Sequence, residues 1–598
     1  MKNFVRLIPV SLLLIVSACT SAVPVSIDEN AKANALFEAV FQEQVALSPT
    51  FQTRLGLKTN YDKWDDISDA ASERELALTK RQLSDLESKI DYAALTGQTK
   101  LSYELAKKSM EQEIANYKWR YHNYPVNQMF GWQSNVPSFL INMHRVSSVE
   151  DAEAYISRLN GVAPMFTELV AQLQKREALG VVAPSFVHPK VIDDSQNVIS
   201  GAPFDDSEDS PLFADLKSKV NALEIDEAEK SRLIADGAAA LLGSVKPAYL
   251  SLIDFMSGQH KRATTDAGAW KFPDGDAFYK IALAHTTTTD LSASQIHDLG
   301  LSEVARIHQE MRAIMQEVGF SGDLQAFFKH VDDDQFYLPN TEEGRAEFLA
   351  RSNKSIADMK ARLDEFFNVQ PKAGLIVKAV EPFREKSAGT AFYQSPALDG
   401  SRPGIYYVNL YNPTSTPTYE IDALAYHEGL PGHHMQLAIA QELEGIPKFR
   451  KFGRYTAYTE GWGLYSEFLP LEYGFYADPY SNFGRLTMEL WRAIRLVVDT
   501  GLHEKKWTRE QAIQYILDNS PTEQADAAKA IERYIVLPSQ ATAYKIGMLK
   551  ILELRQKAKD ALGADFDIRE FHDVVLKNGA VPLDVLETLV GDYIAENS

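Results

Sequence analysis

Between residues 30 and 254 apolar side chains recur at three- and four-residue spacings, as along Leu101-Ser102-Tyr103-Glu104-Leu105-Ala106, which predicts helix almost throughout. One helix start is legible in detail. Ser147-Ser148 stands three residues ahead of Glu150-Asp151, and Val149, Ala152 and Ile156 then share a face, the pattern of a capped amphipathic helix. Two stretches rich in Pro, Gly and Asp interrupt the pattern, at 181–211 and 257–276. Strand signal is thin and local: residues 375–380, 390–393 and 404–410 are β-branched and aromatic runs bounded by Gly, Pro and Asn. From Tyr419 the helical pattern returns and continues to the end. The chain therefore reads as mainly α with a small sheet of about three strands. The second break divides it into an N-terminal helical lobe, 30–265, and a lobe carrying the chemistry, 266–598.

The first residues follow a different pattern. Lys2 and Arg6 precede an apolar run of about ten residues that contains Pro9 and is too short to span a bilayer. The run closes on Val16-Ser17-Ala18-Cys19, which resembles the lipobox of a bacterial lipoprotein signal. That resemblance implies a signal peptide at 1–18, lipidation of Cys19 and a tether over 19–29. Thr20, where an Asp would retain the protein at the inner membrane, implies an outer-membrane anchor facing the periplasm of a Gram-negative cell.

Composition narrows the chemistry. The 598 residues include 61 Lys+Arg, 82 Asp+Glu and one Cys, for a formal net charge of −21. A single Cys excludes an intrachain disulfide, a multi-Cys zinc site and an iron–sulfur cluster. The acid excess argues against a nucleic-acid partner, which needs clustered Lys and Arg. Any metal must be held by His and carboxylates.

Those residues concentrate in Tyr426-His427-Glu428-Gly429-Leu430-Pro431-Gly432-His433-His434. In the pattern His-Glu-x-x-His, two His four apart on one helix face bind zinc and the intervening Glu is the general base toward water. Here the next His lies six residues on, which advances a regular helix by roughly 600° and takes it off the first one's face. Gly429, Pro431 and Gly432 allow the two extra residues to loop out and return His433 to the second ligand position. His434 is the competing ligand, or else lines a substrate pocket. Glu460, in Thr459-Glu460-Gly461-Trp462-Gly463, is the third ligand, with Glu467 two turns later on the same face and the small Gly461 and Gly463 allowing close helix approach. Two imidazoles and one carboxylate with an open fourth position favour catalytic Zn2+. Tyr407 and Asn409 mark where an extended peptide substrate pairs with a sheet edge. Arg495, Asp499 and His503, spaced by four, read as a solvated ion-pair stripe or, alternatively, as partners that orient a ligand His.

These motifs resemble the bacterial family called domain of unknown function 885, with its His-Glu-x-x-Pro-Gly-His-His signature and a following Glu-Gly-Trp block. The resemblance extends to residues 155–159, His285-Thr286-Thr287, Arg402-Pro403-Gly404, 533–547 and 571–583. That family looks like a distant relative of the helical gluzincins, such as angiotensin-converting enzyme and thermostable carboxypeptidases. It implies a large helical zinc-peptidase fold, with a deep cleft between two helical lobes and a small sheet beside the zinc helix. By the same resemblance, the pair Arg533-Tyr534 makes Tyr534 the oxyanion donor, with Tyr544 as alternative and Arg533 or Lys545 for a substrate carboxylate. Converting-enzyme relatives orient a zinc His with an Asp four residues after the ligand Glu. Leu464 stands there in this chain, which leaves Glu467, Glu489 or Asp499 for that task.

The expected function is zinc-dependent hydrolysis of peptide bonds, of oligopeptidase or carboxypeptidase type. Two other readings remain: a non-catalytic peptide-binding lipoprotein with a degenerate site, and a hydrolase of a non-peptide amide or ester. His285 and His572 lie in family-like stretches without an assigned role.

Overall fold

The computed structural model describes residues 28–381, 385, 389–397, 400 and 402–598. Cys19 and the signal segment lie outside the described residues, as does most of the tether, which gives way to helix at Glu29 with Asp28 as its N-cap. Helix accounts for 69% of the chain and strand for 3%.

The expected start at Val149 is the observed one: Ser148 caps the helix Val149–Ala178 by accepting from the Asp151 amide. The first break is less empty than its composition predicts, because it contains the helix Val187–Val198. Pro189 falls in the first turn of that helix, where its missing N–H has no intrahelical partner to lose. The second break is shorter than expected, since the helix Lys246–His260 runs into it. Its middle is pinned to the rest of the molecule by the Ala269 amide, which donates to His503 Nδ1 at 2.9 Å. The main hydrophobic core continues across this point, taking in Met256, Ala269, Phe272 and Tyr279 together with Tyr406 and Trp462.

The elements that build the site follow in chain order. Helix α1, Ala293–Glu317, opens on a Ser292/Gln295 capping box. Strands β1 (Leu375–Ala379), β2 (Ala391–Gln394) and β3 (Gly404–Val408) form one sheet in the order β1-β3-β2, parallel on one side of β3 and antiparallel on the other. Helices α2 (Ile421–Glu428), α3 (His433–Glu442), α4 (Thr456–Glu472), α5 (Pro479–His503), α6 (Gln524–Val536) and α7 (Ala543–Leu562) complete the set.

The sheet order corrects one expectation. Tyr407 and Asn409 belong to the central strand and its extension, with β1 and β2 already paired on either side, so a peptide cannot add to that edge. Their side chains are engaged as well: the Tyr407 hydroxyl donates to Glu381 and the Asn409 amide to the Glu385 carbonyl.

A second correction concerns α5, which is the buried axis of this half of the molecule. Every residue from Ala493 to His503 is buried, so Arg495, Asp499 and His503 are interior groups and not a solvated stripe. They tie down the end of α6 and the turn after it. Arg495 Nε donates to the Tyr534 hydroxyl at 3.0 Å, Asp499 accepts from the Tyr279 hydroxyl and the Ser539 amide, and His503 bonds the Tyr534 carbonyl.

Candidate metal centre

The ligand segment is two helices and not one helix with a bulge. Helix α2 ends at Glu428, Leu430-Pro431 is a cis peptide, and α3 starts at His433. The turn is held from α4, where Trp462 Nε1 and Ser466 Oγ both donate to the Pro431 carbonyl at 2.9 and 3.3 Å. Only glycine fits at 432, because a Cβ there would lie 1.9 Å from the His427 carbonyl oxygen.

This reversal returns His433 to His427. Their rings stand 4.7 Å apart and nearly perpendicular, and both Nε2 atoms face Glu460 Oε2, at 3.8 Å from His427 and 3.6 Å from His433. The three ligand atoms lie within 4.8 Å of one another. A tetrahedral zinc with bonds of about 2.0–2.1 Å separates its ligands by roughly 3.4 Å, so a small contraction closes this trio on a metal. Burial raises the Glu460 carboxyl, but the neighbouring His433 and His427 and the charge of Arg492 outweigh it and hold the group down at about 2. It is ionised, as a ligand must be.

His427 is set in place on two sides. Its Nδ1 lies 2.7 Å from Glu467 Oε1, which fixes the proton on Nδ1 and leaves Nε2 for a metal. Its ring packs on Gly463, where a Cβ would come within 2.7 Å of the imidazole. Of the three candidates for orienting a ligand, Glu467 is therefore the one at the site. Glu489 and Asp499 are elsewhere: the first in a buried ion cluster, the second against Tyr279 and Ser539. His433 Nδ1 is buried without a partner.

Glu428 follows the first ligand directly and is buried, and its charge acts on His433. Among the described residues its carboxylate makes no hydrogen bond or ion pair to protein.

His434 turns away from the ligands. Its Nδ1 is 2.9 Å from the Tyr393 hydroxyl and its Nε2 3.1 Å from the Ala373 carbonyl, so a neutral ring protonated on Nε2 satisfies both. Burial pushes it down to about 4, which keeps it neutral. It fastens α3 to β2 and to the approach to β1, and has no nitrogen left for substrate.

Lys545 is also committed. It is fully buried and paired with Glu489 and Glu303, inside a cluster that brings Arg306 and Arg485 onto Glu489. That leaves it no face for a substrate carboxylate. Arg533 and Tyr534, by contrast, line a cavity of about 480 Å³ with Arg492, Arg495, Leu424 and Glu420. Tyr544 packs its ring beneath the Arg495 guanidinium, 4.5 Å away. Sequence reasoning missed Arg492, whose Nη2 stands 3.7 Å from Glu467 Oε1. Its position three residues before Arg495 on the same helix face was the available signal. His572 is a core residue, accepting from Tyr465 and donating to Phe366, while His285 lines a separate cavity with Glu113.

Fold and site together define a mainly helical protein that assembles two buried His and a half-buried Glu into one cluster beside a short sheet. The chain belongs to the bacterial proteins of unknown function grouped as DUF885, whose family model matches residues 49–590. It is similar over 95% of its length to the crystal structure of a Colwellia psychrerythraea protein inferred to be a lipoprotein, at 30% identity and a TM-score of 0.86, with all of that chain covered. A Shewanella oneidensis protein of unknown function, also inferred to be a lipoprotein, shares the fold at 19% identity and a TM-score of 0.74, over 93% of this chain and 99% of that one. The Colwellia neighbour is consistent with a membrane-anchored lipoprotein. Among curated proteins none matches the chain.

Proposed function

We propose that the protein is a zinc-dependent peptidase of the gluzincin type, with its substrate cleft between two helical lobes, lipid-anchored at Cys19 to the outer membrane and facing the periplasm. One observation carries the reading: three ligand atoms converge within 4.8 Å next to a buried carboxylate, Glu428, that makes no hydrogen bond or ion pair to protein among the described residues. A purely structural zinc site closes its fourth position with a fourth protein ligand and needs no adjacent base.

His427, His433 and Glu460 are the residues that would hold the ion. Zinc bound there supplies Lewis acidity toward a scissile carbonyl and toward water. Glu428 takes the proton from the attacking water on its carboxylate and returns it to the leaving amine. Tyr534 accepts from Arg495 Nε, so its own hydroxyl proton is available for the oxygen that becomes negative as the carbonyl is attacked. Tyr544, whose ring lies 4.5 Å from the same guanidinium, is the alternative donor.

The test is metal analysis of the purified protein beside a Glu428→Gln variant, with a mixed peptide pool as substrate. The expected result is stoichiometric zinc in both proteins and a loss of hydrolysis in the variant of about 10²–10⁴-fold. Wild-type protein that takes up no zinc refutes the reading. Zinc binding without hydrolysis of any peptide favours a binding lipoprotein.

A further inference from the structure

The cavity that His285 and Glu113 share has a volume of about 410 Å³, within the range that holds a small ligand. Nothing in the proposed chemistry uses it. One wall is apolar. Phe37 comes from the helix Glu29–Leu47, and Leu105, Ala106 and Met110 from the helix Gly97–Asn116; Phe449 meets the Phe37 ring edge-on at 5.6 Å. Phe37, Leu105, Ala106 and Met110 are each no more than 6% exposed, so the wall belongs to the packed interior and holds its shape. Polar groups supply much of the rest, among them Thr288, Arg454 and Gln540. An apolar wall with a few polar groups suits a side chain together with the main chain that carries it.

The cavity comes up to the candidate metal centre. Arg454, Tyr455 and Thr456 line it, and Thr456 is the first residue of α4, one turn ahead of Glu460. The charge of Arg454 is felt at His433. Gln540 accepts from Arg533, which lines the cavity that holds Tyr534. Ser109, Gln112, Glu113 and His285 are shared with a further cavity of about 400 Å³. A ligand seated against the apolar wall therefore has room to continue, which fits a segment of a longer chain better than a compact small molecule. The lining also draws on both sides of the expected boundary at 265, so such a ligand bridges the N-terminal helices and the half that carries the metal centre.

We infer that this cavity is a specificity subsite for one large apolar side chain of a peptide substrate, of the size of Leu, Met or Phe, and that Phe37, Leu105 and Met110 set the preference. The inference rests on the peptidase reading and gives it a substrate class.

The experiment uses the full zinc-loaded chain and four pools of mixed-sequence octapeptides that hold Phe, Leu, Asn or Ala at one fixed position. Mass spectrometry follows cleavage and places the cut relative to the fixed residue. Leu and Asn are similar in size, so their difference reads polarity. The Phe and Leu pools should be cut about 10–100-fold more efficiently in kcat/KM than the Asn and Ala pools, at one constant distance from the fixed residue. Ser109 is exposed and Val40 half-buried on the lining, so Ser109→Phe and Val40→Trp fill the cavity without entering the interior. Both should bring the Phe-to-Ala ratio toward one, with melting temperatures near that of wild type. Equal cleavage of the four pools by wild type, or a ratio unchanged in both variants, overturns the inference. If no pool is cut, the peptidase reading fails, and calorimetric binding of the Phe and Ala pools to the wild-type chain decides the subsite. Tighter binding of the Phe pool that Ser109→Phe abolishes supports it, and any other result overturns it.

Discussion

Glu467 holds His427 from behind, its Oε1 lying 2.7 Å from the imidazole Nδ1. Both residues are buried, and Arg492 stands 3.7 Å from the same carboxylate oxygen. The arrangement fixes which nitrogen of His427 is left for a metal and makes that nitrogen more basic. Replacing Glu467 with Ala should weaken zinc binding about 10–100-fold, while Glu467→Gln, which can still accept from Nδ1, loses less. Competition against a chromophoric chelator measures this. Wild-type affinity in Glu467→Ala would show that His427 does not ligate through Nε2.

His433 and His434 are adjacent in the chain and opposite in role. His433→Ala should abolish stoichiometric zinc with little change in the melting temperature of the metal-free protein. His434→Ala should retain zinc and melt earlier, because the Tyr393 hydroxyl and Ala373 carbonyl lose a buried partner at a cost of about 1–3 kcal/mol. The reverse pattern of metal content overturns the ligand assignment.

Gly463→Ala separates helix stability from ligand position. Alanine is the better helix former by about 1 kcal/mol. Its methyl group would nevertheless come within 2.7 Å of the His427 ring, so the imidazole must shift. Zinc affinity should fall at least about tenfold, by the same measure as loss of an orienting partner, without a matching loss of helicity in circular dichroism. Unchanged affinity would mean that the ring does not need its present seat.

Asp499 gives a stability signature in pH. Burial pushes its carboxyl up to about 7 from the usual 3.8, against hydrogen bonds from Tyr279 and Ser539. The folded protein therefore retains a proton that the unfolded chain releases, and this contribution is full below about pH 4 and lost as pH rises to 7. His503, whose ring centre lies 5.1 Å from that of Tyr279, runs the other way: burial pushes it down to about 4, so its contribution is present above 6.5 and fades as pH falls. Asp499→Asn removes only the first effect. The melting temperature of the variant minus that of wild type should rise between about pH 4 and pH 7, and a flat difference would contradict the assignment.

The convergence of His427, His433 and Glu460 was legible because these residues are chemically rare and close in sequence, and because Gly429, Pro431 and Gly432 announce a turn. The strands were legible for a similar reason, with 375–380 predicted against Leu375–Ala379 observed. What depended on distant pairing was not. The central place of β3 follows from which strands flank it, and Tyr407 carries no mark of that. Lys545 looked available until Glu303, some 240 residues earlier in the chain, came to meet it. The spacing of Arg495, Asp499 and His503 correctly put them on one face, but periodicity identifies a face without saying what covers it. The approach of Arg492 to Glu467 is visible only when α4 and α5 are packed together.

The break at Leu430-Pro431 has a consequence for how such a centre can change over generations. Without those two residues the segment would read His-Glu-Gly-Gly-His, with base and both imidazoles riding on one rigid rod. As it stands, Glu428 and His427 travel with α2 and His433 with α3. In the proposed peptidase a small tilt of α3 would alter the bite of the ligand set while leaving Glu428 where it was, so metal preference and proton-transfer geometry would drift separately. A regular zincin helix couples the two.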